Sequence, residues 1–514
     1  MARRWWTLAA VCAGVFMLLL DVTIVNVALP DIERGFRAGL SDLQWVLDAY
    51  ALTLAALLLT AGSLADLWGR RRVFATGIVL FTLGSLLCGL STSSLFLILA
   101  RGFQGIGGAI MFATALALIA NAFRGPERGI AFGVFGAITG VALAIGPVLG
   151  GVIIAALDWR WVFFVNVPIG LAALAVMLAF VEESVDPAAR RPDWPGLTTF
   201  SAALSALVVG LIRSTTDGWG STTVVACFVA AGALLGAFVV IEWRQRTPML
   251  DLSLFRVPAF VGGLVAAFAV SASIISVLTY IVLYFQDILG FSPLQAGLRF
   301  LVFTGVIFVV AAAAGRLSSR VPARYLISSG FVLVAAGLFL MAGLDASSGW
   351  THFVPGFVVA GVGVGLINVP LASVAVGVVE PRRAGMASGI NSTLRQVGIA
   401  TGIAALGSIF AARNRDQVTA TLSSSPLGPA ADRVAGSLSG APGQPAALQQ
   451  LPPQLREVVE HALRVGFASG LNEILLLSAG IAIAAAILSL VLIRSRDMVA
   501  QVDRPIEADQ ELAA

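Results

Sequence analysis

The chain has 514 residues, of which 58% are hydrophobic and only 12% charged, with a mean hydropathy of +0.94. A soluble domain of this length needs a charged shell that this composition cannot supply, so the chain reads as an all-α integral membrane protein. All 32 basic residues are arginine; without a lysine there is no Walker A phosphate loop, and the small formal charge of +4 is no signal for a nucleic-acid partner.

Apolar runs long enough to span a bilayer fall at 7–29, 45–65, 73–91, 95–119, 130–156, 161–181, 196–213, 221–241, 258–285, 293–315, 323–344, 352–376, 386–411 and 470–493. These fourteen predicted transmembrane helices place both termini on one side. The first run follows Arg3 and Arg4 and is long enough to remain in the membrane, so it is not read as a cleaved leader. Arginines set the orientation. The turns on the N-terminal side hold most of them, including Arg70, Arg71 and Arg72, whereas the short outer loops hold only Arg34, Arg37, Arg160, Arg213 and Arg299. That bias puts both termini in the cytoplasm. Residues 412–467 form a long outer loop rich in Ala, Ser, Pro and Gly, within which Leu455 to Val465 is predicted as an amphipathic helix lying on the surface.

The first run carries the most informative residue. Between Thr7 and Leu29 the only charged side chain is Asp21. An intramembrane acid is costly and persists where it faces a bundle interior or a water-filled cavity, so it reads as a substrate or proton site, with a structural ion pair as the alternative. Asp21 lies about 13 Å from the outer end of its helix, and Arg101 in the fourth helix lies about 9 Å from the same side. The two could meet, and protonating the acid would break such a pair. Asp48, just inside the second helix, is the rival partner for Arg101. Arg101, Gln104, Gly105 and Gly108 share one helical face. In the fifth helix Gly136 and Gly140, and Gly146 and Gly150, are spaced for close helix contact, with Gly151 beside them and Pro147 bending the helix. Later in the chain Tyr280, Tyr284 and Gln286, and Asn391 and Arg395, are candidate cavity residues together with Asn26 and Gln104 of the first half. Aromatics at helical spacing are more often packing than a binding site. Cys12, Cys88 and Cys227 all fall in apolar runs and read as small hydrophobes, while His352 and His461 lack a second ligand, so no metal site and no cofactor are expected.

A weak repeat relates Gly62 to Arg71, after the second helix, to Gly315 to Arg324, after the second helix of a later block. Two six-helix halves, 1–181 and 258–514, would then flank an inserted helix pair within 182–257.

Five motifs in order carry a resemblance: Leu20 to Pro30, Gly62 to Arg72, Leu97 to Gly108, Gly140 to Gly151, and Trp159 to Pro168. Together with the fourteen runs they resemble the major facilitator superfamily and, within it, the fourteen-helix drug:proton antiporters. The resemblance implies a monomeric transporter, not an enzyme, in a bacterial inner membrane, with protons and a small-molecule drug or antibiotic as partners. It implies a gate at Gly62, Asp66, Gly69, Arg70 and Arg71, in which Asp66 meets the N-terminal end of the thirteenth helix around Ala384 to Ser388. It makes Gly140, Gly146, Pro147, Gly150 and Gly151 an antiporter motif, and Asp21, Arg101 and Asp48 the candidates for proton coupling. Transport of another solute by the same fold, lipid-like or nutrient, is the alternative.

Overall fold

The computed structural model describes residues 3–38, 40–184, 192–245, 248–318, 320–380, 383–423, 425 and 453–498. Its helices are α1 (Arg3–Phe36), α2 (Leu40–Trp68), α3 (Arg70–Gly89), α4 (Ser94–Ala122), α5 (Gly125–Ala156), α6 (Trp161–Phe180), α7 (Trp194–Asp217), α8 (Thr222–Arg244), α9 (Pro258–Ile288), α10 (Pro293–Leu317), α11 (Ala323–Met341), α12 (Val354–Gly377), α13 (Ala384–Ser423) and α14 (Pro453–Leu492). No strand occurs among the described residues. Among the described residues, thirteen helices are long and apolar enough to cross a membrane, each on a predicted run. The remaining run, 130–156, falls on α5.

Local signals set the helix starts. Ser93 caps α4 by accepting from the Phe96 amide at 3.2 Å, and Ser292 with Gln295 forms a capping box on α10. Gly69 takes a φ of +100°, which breaks the chain sharply between α2 and α3. α6 is interrupted at Val165, between Trp161–Phe164 and Asn166–Phe180. α9 carries two π turns, at Ser271–Ile275 and Tyr284–Ile288. At the first of them Ser276 Oγ donates to the carbonyls of Ser271 (3.0 Å) and Ile399 (3.3 Å), so the loosened turn is held by α13.

Helices α1 to α6 pack among themselves, and so do α9 to α14. The two groups meet where α2 crosses α13 and where α5 crosses α10, with α7 laid against α2 and α13. Glycines make those crossings. A Cβ on Gly62 would run into the Gly385 carbonyl, and one on Gly129 into the Gly315 carbonyl. Toward the other end of α5 the approach relaxes, a Cβ on Gly140 or Gly151 meeting Ile307 or Leu294 at 3.7 Å. The groups are therefore pressed together most closely at the arginine-rich end. The pair α7–α8 is tied in by Thr60 and Ser201, 3.0 Å apart. Its exit is clamped where Asp193 accepts from the Gly196 amide and Gln245, and Glu242 accepts from the Leu250 amide. Asp251 then binds Arg383, beside the start of α13, at 2.5 Å. Partial burial pushes that carboxyl up, but hydrogen bonds from Ser253 and Arg383 outweigh it and hold the group below its ordinary value.

One expectation is corrected. The predicted outer loop 412–467 is helical over 412–423 and 453–467, and Leu455 to Val465 is not a separate surface helix but the first turns of α14. At 40 residues each, α13 and α14 are about 60 Å long, twice the hydrocarbon thickness, so both project well beyond the bilayer. Val418 and Leu422 on one, and Val459 and Ala462 on the other, are buried in the projecting part. Gly466 admits Val418 and Asn414 closely, and Arg413 pairs with Glu473 at 3.3 Å. A hydropathy window reads such polar-sided helices as loop. Residues 426–452 of that loop lie outside the described residues.

Orientation gives a testable expectation. Cysteines introduced at Ser93 and Ser347 should react with an impermeant thiol reagent added outside sealed cells, and one at Ser495 should not. Labelling at all three positions would overturn the arginine-based orientation.

Candidate functional site

Five helices converge on Asp21, which has no solvent exposure. Its Oδ2 accepts from Arg101 Nη1 at 2.5 Å, and its Oδ1 from Gln104 Nε2 at 2.9 Å and Asn166 Nδ2 at 3.1 Å. Arg101 also donates from Nη1 to Gln104 Oε1 (2.7 Å) and from Nε to the Val46 carbonyl (3.2 Å), while its guanidinium sits 4.2 Å from the centre of the Tyr50 ring. Ser85 Oγ accepts from Gln104 and Asn166 and donates to the Phe163 carbonyl. Cys88 donates weakly to Gln104. The carboxylate is thus surrounded by donors from α4 and α6, and the guanidinium by acceptors from α1, α2 and α4, as a desolvated ion pair requires. Asn166 reaches Asp21 because α6 restarts there after its break. Asn166, Ser85 and Tyr50 had no assigned part in the sequence reading; the available signal was an amide placed two residues before Pro168 in an apolar run.

The glycines of α5 sort onto two faces. Gly146 and Gly150 face α1, where an added Cβ would meet Thr23 and Ile24. Gly136, Gly140 and Gly151 face α10 or its neighbours. α5 therefore touches the Asp21 helix on one side and the other helix group on the other. Pro147 lies within the same helix.

At the arginine-rich end, Asp66 Oδ1 accepts from Arg70 Nε (3.0 Å), Arg70 Nη2 (2.8 Å) and the Gly385 amide (3.0 Å), and Oδ2 accepts from the Met386 amide (2.9 Å). Those two amides belong to the first turn of α13, where unpaired N–H groups and the helix dipole favour a carboxylate. Both side chains of the ion pair are nearly buried. Arg71 reaches the Leu178 carbonyl at the end of α6 (2.7 Å), and Glu183 accepts from the Arg71 and Arg72 amides. A Cβ on Gly69 would collide with that Glu183 carboxylate. Glu183 was not singled out from sequence, since an acid after an apolar run ordinarily marks only the membrane edge.

The remaining candidates are scattered. Asp48 is half-buried and interacts with Arg213 of α7, not with Arg101, whose hydrogen bonds go to Asp21, Gln104 and Val46. Gln104 belongs to the Asp21 network and has no exposure, which corrects its expected place on a cavity wall. Tyr280 and Tyr284 are likewise packed: their hydroxyls donate to the Ile403 and Ser348 carbonyls at 2.9 and 2.8 Å, and their rings stack against Phe410, Phe467 and Phe353. Burying a large ring and satisfying its hydroxyl on backbone outweighs leaving it in open space. Gln286 is half-buried in the second π turn, and Asn26 is exposed on α1. Arg395 donates to Asn368 Oδ1 at 3.2 Å, and the buried amide nitrogen of Asn391, one turn earlier, has no acceptor.

Two groups of membrane-length helices that cross at glycines, the first of them enclosing a buried carboxylate–guanidinium pair, define a polytopic membrane transporter. The chain belongs to the Major Facilitator Superfamily, whose family pattern matches residues 11–403. It is 39% identical over 407 residues to the Multidrug resistance protein Stp of Mycobacterium tuberculosis, covering 79% of this chain and 76% of that protein. It is 35% identical over 415 residues to the Tetracenomycin C resistance and export protein of Streptomyces glaucescens, covering 80% and 77%. Among solved structures it resembles the human organic anion transporter MFSD10 (TETRAN), with a TM-score of 0.63 at 13% identity over 95% of this chain and 99% of that one. The proton:xylose symporter XylE gives 0.60 at 12% identity over 96% of each. These last two likenesses concern the fold alone.

Proposed function

We propose that this chain is a proton-driven exporter of amphipathic drug-like molecules, working by alternating access in a bacterial inner membrane with fourteen spans, both termini inside, and no enzymatic step. The carrying observation is the fully buried Asp21–Arg101 pair, which joins α1 to α4 beside the glycine face of α5. A carboxylate sealed this way exchanges a proton only when the surrounding helices part, and that requirement links proton movement to the conformational cycle. The names of the relatives, which are resistance and export proteins, support outward drug transport. Residues 1–181 and 258–514 act as the two monomer halves, and 182–257 as an insert that braces α2 against α13. Asp21 and Arg101 carry the coupling, with Asp48 as the second acid. Gly62, Asp66, Gly69, Arg70 and Arg71 form the inner gate, and Asn26, Gln286, Asn391 and Arg395 are the polar contacts left for cargo.

One proton is energetically sufficient. A charge moved through 100 mV supplies about 2.3 kcal/mol, equivalent to a gradient of about fifty-fold for a neutral compound. Cells expressing the chain should tolerate more of some dyes and antibiotics in a growth-inhibition panel than cells without it, and energised cells should extrude those compounds until a protonophore is added. Extrusion that continues after the gradient is collapsed would remove proton coupling, and accumulation in place of extrusion would identify uptake.

A further inference from the structure

We propose that a basic pocket between the start of α11 and the end of α14 binds the phosphate of an anionic phospholipid. The pocket, about 420 Å³ in volume, is lined by Arg324, Val491, Arg494, Ser495 and Arg496. Three guanidiniums thus share one opening, and they are incompletely satisfied. Arg324 Nη2 donates to the Tyr325 hydroxyl at 2.7 Å, but its Nε is buried with no acceptor. Arg494 Nε makes one long bond to the Val491 carbonyl, at 3.4 Å. Arg496 lies 3.8 Å from Asp497, whose other oxygen is already taken by the Ala259 amide. Among the described residues the one acid paired with these three cations is Asp497, itself partly used elsewhere, which leaves an excess of directed donors of the kind that binds phosphate oxygens.

The position selects the source of that phosphate. Ala323 begins α11 and Leu492 ends α14, so the pocket sits at the helix ends, at headgroup depth and on the arginine-rich side. One to two turns deeper the same helices turn apolar side chains outward: Ile487 and Val491 on α14 are 59% and 56% exposed, and Val332 on α11 is 56% exposed. A headgroup in the pocket would leave its acyl chains along this surface, whereas a free phosphate would make no use of it. Basic pockets between membrane helices at an interface are suited to anionic lipids. A bound lipid would bridge α11 to α14 and so brace the far edge of the second helix group, away from the crossings with the first.

The test uses the full-length protein, stripped of lipid in a neutral detergent. Binding of phosphatidylglycerol, phosphatidylcholine and inorganic phosphate is followed by native mass spectrometry and by the shift in thermal unfolding. Phosphatidylglycerol should bind at least about tenfold more tightly than phosphatidylcholine, and inorganic phosphate should not displace it. The preference should vanish in Arg324→Gln/Arg494→Gln/Arg496→Gln and persist in Arg256→Gln, an exposed control. Should the triple variant fold poorly, Ser495→Glu, at an exposed position, places a negative charge at the pocket and should abolish the preference alone. Equal binding of both lipids, a preference that survives Ser495→Glu, or full displacement by inorganic phosphate would each overturn the proposal.

Discussion

Asp21→Asn should reduce uphill export to none, leaving the outside-to-inside concentration ratio at unity where one proton through 100 mV would sustain up to about fifty-fold, while downhill exchange of the same compound continues. The amide keeps the shape and cannot carry the proton. The geometry adds a second effect. Arg101 would lose its carboxylate partner at a fully buried position, and breaking one side of a buried pair costs about 3–5 kcal/mol, so the folded fraction should fall as well. The two effects separate in the double variant Asp21→Asn/Arg101→Gln. With the unpaired guanidinium gone, thermal stability should return toward that of the parent, and uphill export should not. The deciding measurement is drug efflux as a function of pH in vesicles matched for protein content. Full uphill transport by the double variant would remove Asp21 from the proton path and leave Asp48 as the next acid to examine.

Some of this architecture is legible in the sequence because it rests on strong single signals. A charge inside an apolar run is conspicuous, and helix rise alone gives Asp21 and Arg101 similar depths, although the same argument leaves Asp48 as a rival partner for Arg101. The neutral partners were not legible. Ser85, Tyr50 and Asn166 are ordinary membrane-helix residues, and their convergence depends on helix rotation and on the break in α6, neither of which leaves a periodic trace. Tyr280 and Tyr284 misled for the opposite reason: a polar tip on a large ring suggests a cavity wall, yet backbone carbonyls at Ile403 and Ser348 satisfy the hydroxyls inside the packing. The projecting parts of α13 and α14 were hidden by the same rule that found the spans. Hydropathy reports contact with lipid, and beyond the bilayer these helices need only a narrow apolar stripe, supplied by Val418, Leu422, Val459 and Ala462.

Asp66→Asn should cut export strongly in protein that still reaches the membrane. In the parent, one carboxylate oxygen takes the Gly385 amide and both Arg70 contacts, and the other takes the Met386 amide. An asparagine has a single acceptor oxygen, so its NH₂ group would confront either an N–H of α13 or the Arg70 guanidinium. The charge facing the helix N-terminus is lost together with that hydrogen bond. Charge-assisted bonds of this kind contribute about 1.5–3 kcal/mol and the helix dipole up to about 1 more. A loss of about 2–3 kcal/mol shifts the balance between the closed and open inner ends by roughly 30- to 150-fold. The shift should be visible directly. A cysteine at Ser388, fully buried in the first turns of α13, should react with a thiol reagent much faster in Asp66→Asn than in the parent when the arginine-rich side is accessible. Gly62→Ala should act in the same direction by a different route, because its Cβ would push against the Gly385 carbonyl at the same crossing. If Asp66→Asn exports normally and Ser388 stays protected, the turn between α2 and α3 serves only to hold its arginines on one side of the membrane.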